Sequence, residues 1–203
     1  MGIYLLIIGT HDVFFRDQYN RFSLKWMDSW ICQATGILAL VSSEVSVLIL
    51  TCMTFECCLK ISFPYFPFAL TRKSRFVILF MLWMTGVITA AIPFSSRPIF
   101  GEAFYGSNGV CFPLHIHEPF QLGWQYSAFV FIGVNMMGLV TMMVCNSGIC
   151  FSLHRTKSAV PKLSSQDTIT KRLFAITLVN TLCWIPVIAI KIIALADGHC
   201  PGK

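Results

Sequence analysis

An all-α bundle of membrane-spanning helices is the fold class this sequence predicts, and three observations predict it. Charged residues make up 12% of the 203 residues and hydrophobic ones 56%, roughly half the charge usual in a soluble domain. Mean hydropathy is +0.71. Four stretches, about 30–59, 76–96, 124–152 and 173–196, are each long and apolar enough to cross a bilayer core as helices, and polar segments separate them.

The chain opens with MGIYLLIIGT, residues 1–10, apolar but too short to span. It has neither the basic start nor the small-residue cleavage site of a signal peptide, so it reads as the outer end of a partial span. Residues 11–30 read as a polar loop holding Asp12, Arg16, Asp17, Arg21, Lys25 and Asp28, with Trp26 and Trp30 suited to a membrane interface. From Cys32 to Cys57, 25 rises of about 1.5 Å cover roughly 38 Å, more than the hydrocarbon thickness. Glu44 sits midway in that apolar run, where a carboxyl group is costly. It is either a packing lock bonded to a neighbouring helix or a signalling or ligand group. Either role requires a polar partner.

Pro64 and Pro67 end that helix, and Arg72, Lys73 and Arg75 flank the next span. Within it Gly86 permits close helix approach, three residues after Trp83. A longer loop, about 97–122, carries Glu102, Cys111, His115, His117 and Glu118. The third full span contains Asn135, with Asn146 near its far end. Residues 154–170 read as a polar linker, and the fourth span contains Asn180, Cys183-Trp184-Ile185-Pro186 and Lys191.

Several function classes fall away. The net charge of +6 forms no basic stripe interleaved with aromatic or polar residues, so nucleic acid is not an expected partner. Nine cysteines are too scattered for a disulfide scaffold and show no zinc spacing. His115-Ile116-His117 is a solvated loop or a weak metal site; no cofactor is expected. A transporter should show internal repeats and an enzyme paired catalytic groups at one depth, and neither pattern occurs. Glu44 and Lys191, the charged groups well inside spans, differ in depth by roughly 10 Å at 1.5 Å per residue. The expected setting is the lipid bilayer of the plasma membrane, crossed several times.

Lysine and arginine set the orientation. Nine (Lys60, Arg72, Lys73, Arg75, Arg155, Lys157, Lys162, Lys171, Arg172) flank one side, and five (Arg16, Arg21, Lys25, Arg97, Lys203) the other. The 60–75 and 154–172 loops are therefore cytoplasmic. Cys32 and Cys111 then share the oxidising outer face and make the natural disulfide pair, with Cys200 a competitor. Cys57, Cys58, Cys145 and Cys150 lie near the inner face, as palmitoylation sites or plain helix-end cysteines.

Taken together, these motifs resemble rhodopsin-like G-protein-coupled receptors, within them the leucine-rich-repeat hormone receptors, and there the relaxin receptor branch. The resemblance rests on Met1-Gly2-Ile3-Tyr4-Leu5, on Trp26 before Cys32, on Ser43-Glu44-Val45-Ser46-Val47, and on Trp83. It continues through Tyr105-Gly106, Gly109-Val110-Cys111-Phe112-Pro113-Leu114-His115, Gly133-Val134-Asn135, Lys171-Arg172, Cys183-Trp184-Ile185-Pro186 and Lys191. These run in order along nearly the whole chain.

The resemblance implies part of a seven-helix receptor, the outer end of helix two plus helices three to six, without the first and seventh helices or the ectodomain. Its implied partners are a peptide hormone of the relaxin or insulin-like type outside, a heterotrimeric G protein inside, and a receptor oligomer. It implies the Cys32–Cys111 disulfide and an activation switch of Trp184, Pro186, Asn180 and Glu44, in which helix six swings about the Pro186 kink. Glu56, Cys57, Lys171 and Arg172 would face the G protein. Trp26 and Lys191 would face ligand or ectodomain, although snorkelling to the outer interface is the more ordinary reading of Lys191.

The inner end departs from the family pattern. Glu56-Cys57-Cys58 stands where an acid, arginine and an aromatic are usual, and a thiol has no fork of donors. Gln166 stands where helix six carries its acidic partner, Asn180 where this group commonly has aspartate, and Asn146 where helix five often has tyrosine. A truncated or divergent non-signalling receptor, acting as a decoy or oligomer partner, is the alternative expectation.

Overall fold

The computed structural model describes residues 2–15, 19–62, 71–101, 104–106, 109–114, 120, 122–157 and 164–197. A stripe of small and apolar residues explains its centre. Cys32, Gly36, Ala39, Leu40, Ser43, Glu44 and Val47 recur at three- and four-residue spacing and are all buried along α3, Trp30–Ser62. That spacing gives one face of a helix. Around α3 pack α1 (Gly2–Phe14), α2 (Tyr19–Met27), α4 (Arg72–Ser95), α7 (Asn135–Lys157) and α8 (Ser164–Asp197).

Two short helices complete the outer side, α5 (Arg97–Phe100) and α6 (Trp124–Ala128). A π-helical stretch, Phe129–Val134, joins α6 to α7. Among the described residues, four spans are long and apolar enough to cross a membrane: Trp30–Ser62, Arg72–Ser95, Trp124–Ser152 and Lys171–Ala196. Gly2–Phe14 is a shorter apolar helix.

Glycine sets the closest approach of α4. Its buried residues are Gly86, Ala90 and Pro93, a narrow small-residue stripe of the kind that lets membrane helices approach. A Cβ on Gly86 would collide with Val45 of α3. Thr71 caps the helix, its hydroxyl accepting from the Ser74 N–H at 3.3 Å. Phe76, Phe80, Met81 and Trp83 stand exposed on the other side, as a lipid-facing surface should.

Two segments differ from the sequence expectation. The 11–30 stretch is not a plain loop: α1 runs on to Phe14, and Tyr19–Met27 forms α2. The reason is Trp26, which buries against Cys32, Cys111, Ile7, Ile8 and Met27 and so gives this polar segment a core of its own. The 154–170 linker is also partly helical, because α7 continues to Lys157 and α8 begins at Ser164. Backbone hydrogen bonding does not stop at the edge of the apolar run. Pro161 lies between the two helices, where a helix interior would be broken.

Candidate functional site

The outer face is organised by residues 109–114. Cys111 bonds to Cys32 at the top of α3, with Cα atoms 5.3 Å apart. Four carbonyls around it each accept from a different helix. Trp26 Nε1 of α2 donates to Gly109 at 3.0 Å, and the Tyr4 hydroxyl of α1 donates to Val110 at 2.8 Å. The Ser127 hydroxyl of α6 donates to Pro113 at 2.6 Å, and Lys191 Nζ of α8 donates to Leu114 at 2.7 Å. A loop with no ladder of its own must satisfy its carbonyls elsewhere, and this one does so through α1, α2, α6 and α8. Gly36 accommodates it: a Cβ there would strike the Cys111 carbonyl and the Tyr105 ring. Cys111 itself has φ +53, an uncommon value for a residue with a Cβ.

Below this loop an aromatic path leads to α8. Phe112 packs on Phe131 with centroids 5.1 Å apart, and Phe131 faces Trp184 at 6.3 Å. Trp184 is buried, two residues before Pro186 inside α8. Beside it lies a cleft of about 500 Å³, open on one side, lined among others by Tyr4, Ser43, Ser46, Phe112, Asn180 and Trp184. Asn180 Nδ2 is buried there and has no hydrogen-bond partner among the described residues.

At mid-depth Glu44, only 2% exposed, accepts a hydrogen bond from Asn135 Nδ2 at 2.8 Å. The same amide donates to the Val130 carbonyl at 3.1 Å. The π-helical turn just before Asn135 widens the helix there, and the Val130 carbonyl accepts from both the backbone N–H and the side-chain amide of Asn135. Glu44 thus has the polar neighbour that its burial demands. Nearer the inner end, Asn146 Nδ2 of α7 donates to Thr177 Oγ1 of α8 at 2.8 Å.

At the inner end Glu56 is paired with Lys60 on its own helix and with Arg75 of α4 at 3.2 Å. Cys57 is half-buried, and Lys171 and Arg172 are exposed on α8. Gln166 lies within α8, but its side chain is outside the described residues, as are His115, His117 and Cys200.

The pattern of rhodopsin-family seven-transmembrane receptors matches residues 16–202. The chain belongs to that family. With its four apolar spans, this rhodopsin-family chain is a multi-pass protein of the plasma membrane. It is 36% identical to relaxin receptor 1 of Homo sapiens over 207 residues, covering 100% of this chain and 27% of that receptor. It is 38% identical to relaxin receptor 2 of Canis lupus familiaris over 209 residues, covering 100% of this chain and 28% of that receptor. The G-protein coupled receptor GRL101 of Lymnaea stagnalis is 32% identical over 205 residues, 100% of this chain and 18% of its own length. The chain therefore spans little more than a quarter of the relaxin receptors it matches.

Within this family member the expected site residues fall into separate groups. Cys32 and Cys111 are joined, Glu44 meets Asn135, and Trp184 sits over the Pro186 turn. Trp26 and Lys191 do not stand free toward the outside; both are buried and bonded to carbonyls of the outer loop. Lys191 does not snorkel, because a loop carbonyl reaches its ammonium within the bundle and supplies the polar contact that water would otherwise give. Glu56 pairs with Lys60 and Arg75, not with Lys171 or Arg172. Ser127, Thr177 and the role of Arg75 leave no distinct signal in the sequence. A serine or threonine in an apolar helix is too common to stand out.

Proposed function

We propose that this chain is the transmembrane core of a receptor for a peptide hormone of the relaxin or insulin-like type, passing ligand binding to a heterotrimeric G protein by movement of α8. The observation that carries this reading is the double link between the outer loop and α8. Lys191 holds the Leu114 carbonyl, and Phe112 reaches Trp184 through Phe131. A ligand or ectodomain that shifts the loop shifts the side chains beside Pro186. Proline lacks the N–H that would brace the helix there, so α8 has a hinge. Binding that favours one arrangement of the loop then favours one arrangement of the inner end. The similarity to proteins named as relaxin receptors supports the choice of ligand class.

A second reading has its own support. Cys57 stands where the family has arginine, and Glu56 is engaged by Lys60 and Arg75. A thiol offers no bidentate donor to a G protein. This favours a non-signalling receptor that serves as a decoy or oligomer partner.

One experiment separates the two. The complete reading frame containing this chain is expressed in cells, and G-protein dissociation is recorded against a panel of relaxin and insulin-like peptides. Dissociation in response to a peptide is the expected result. Peptide binding without dissociation, with activity gained on Cys57→Arg, would establish the second reading instead.

A further inference from the structure

On the outer side, between α5 and α6, four aromatic rings line a pocket of about 400 Å³ that the receptor reading does not use. Phe100 comes from α5, Trp124 and Tyr126 from α6, and Phe120 from the loop before α6. Phe100 meets Tyr126 with centroids 5.3 Å apart, and Phe120 meets Trp124 at 5.0 Å, both edge to face. Such a pair occupies one ring face and leaves the electron-rich faces of the other ring uncovered by the contact. Gly123 lets the rings close in. Its φ is +84, and a Cβ there would lie 2.7 Å from Phe100 and 2.9 Å from Phe104.

Depth and chemistry together say what fits. The pocket lies where the span Arg72–Ser95 ends and the span Trp124–Ser152 begins, which is the level of the outer lipid headgroups. Single aromatic residues at that level anchor a helix, but anchoring does not require four rings around a concavity. None of the described residues lining it is charged. The Tyr126 hydroxyl is already engaged, donating to the Thr89 carbonyl at 2.5 Å. A primary ammonium would lose its water here and find few acceptors for its N–H groups. A quaternary ammonium has no N–H to satisfy and is attracted by ring faces alone.

We propose that this pocket binds the choline headgroup of an outer-leaflet phospholipid, its trimethylammonium held by the rings of Phe100, Phe120, Trp124 and Tyr126. The lipid phosphate stays at the wet interface and the acyl chains remain in the bilayer. A bound headgroup contacts α5 and α6 at once, so it ties together the outer ends of two spans.

Lipid retention by the full chain tests the site. The chain is purified in detergent micelles doped equally with three phospholipids of the same acyl chains, and retained lipid is read by native mass spectrometry. The headgroups are choline, ethanolamine and 3,3-dimethylbutanol. The last has the shape of choline with carbon in place of nitrogen, so it keeps the apolar fit and lacks the positive charge. The expected result is choline lipid retained roughly two- to fivefold over each of the others. That preference is lost in Trp124→Leu and kept in Trp83→Leu, a change at an exposed tryptophan of α4 outside the pocket. The comparison of headgroups uses the native chain, so it stands even where a variant misfolds. Equal retention of the choline and dimethylbutyl lipids, or a choline preference that survives Trp124→Leu, overturns the proposal.

Discussion

Asn135 carries more at the residue scale than its neighbours do. Its amide bonds both the Glu44 carboxyl and the Val130 carbonyl, so one side chain satisfies two buried acceptors. Leaving a buried polar group unpaired costs about 1–3 kcal/mol, more than a well-made bond contributes. Asn135→Leu should therefore lower thermal stability in detergent clearly, by an amount in that range. Glu44→Gln keeps an acceptor oxygen facing Asn135 and should cost less. Equal losses in a thermal-shift measurement would show that the hydrogen bond is not what holds the two helices in register. A second residue gives a pH dependence. His11 stacks on Trp26 with centroids 3.6 Å apart, and burial holds its pKa below the usual 6.5, with the Asp12 charge pulling the other way. The unfolded chain therefore takes up this proton first as pH falls. The stability His11 contributes is present above about 6.5 and lost as pH drops through the folded-state value. Thermal unfolding across that window should show the slope in the native chain and its loss in His11→Asn.

Elements differ in how plainly the sequence announces them. The four spans were legible because an apolar run of more than 20 residues has few alternatives to a membrane helix. The α2 segment was not, because Asn20, Arg21, Ser23 and Lys25 give it the composition of a loop. Its helicity depends on Trp26 packing beside a disulfide that joins residues 79 apart in sequence. The π-helical stretch was equally hidden: Phe129–Val134 contains no proline and only Gly133 to mark it, and its effect shows as the direction in which Asn135 points. Gly86 was readable as a close-approach site, and the α3–α4 crossing bears this out. Gly86→Leu should force the two helices apart and lower stability by about 1–3 kcal/mol or more, since neither backbone can yield far. The matched change at Gly9, which has open space around it, should be nearly neutral. Thermal-shift measurements on the two variants check the contrast.

For the whole molecule, the proposed coupling of the outside to α8 runs through residues 109–114. The sequence supplied the disulfide and the tryptophan two residues before a proline in α8, but not the carbonyl bonds between them. Backbone acceptors leave no mark in a sequence, so Lys191 read as a group facing outward when it faces Leu114. A direct measurement uses spin labels on noncanonical amino acids at Lys73 of α4 and Lys171 of α8, both exposed near the inner face. Distances between them are recorded by pulsed electron resonance in the native protein and in Lys191→Met. Methionine preserves the length and apolar stem of the side chain but cannot hold the Leu114 carbonyl. The expected result is a distance distribution that widens and gains a longer component as α8 is released above Pro186. A distribution unchanged from the native protein would rule out this coupling.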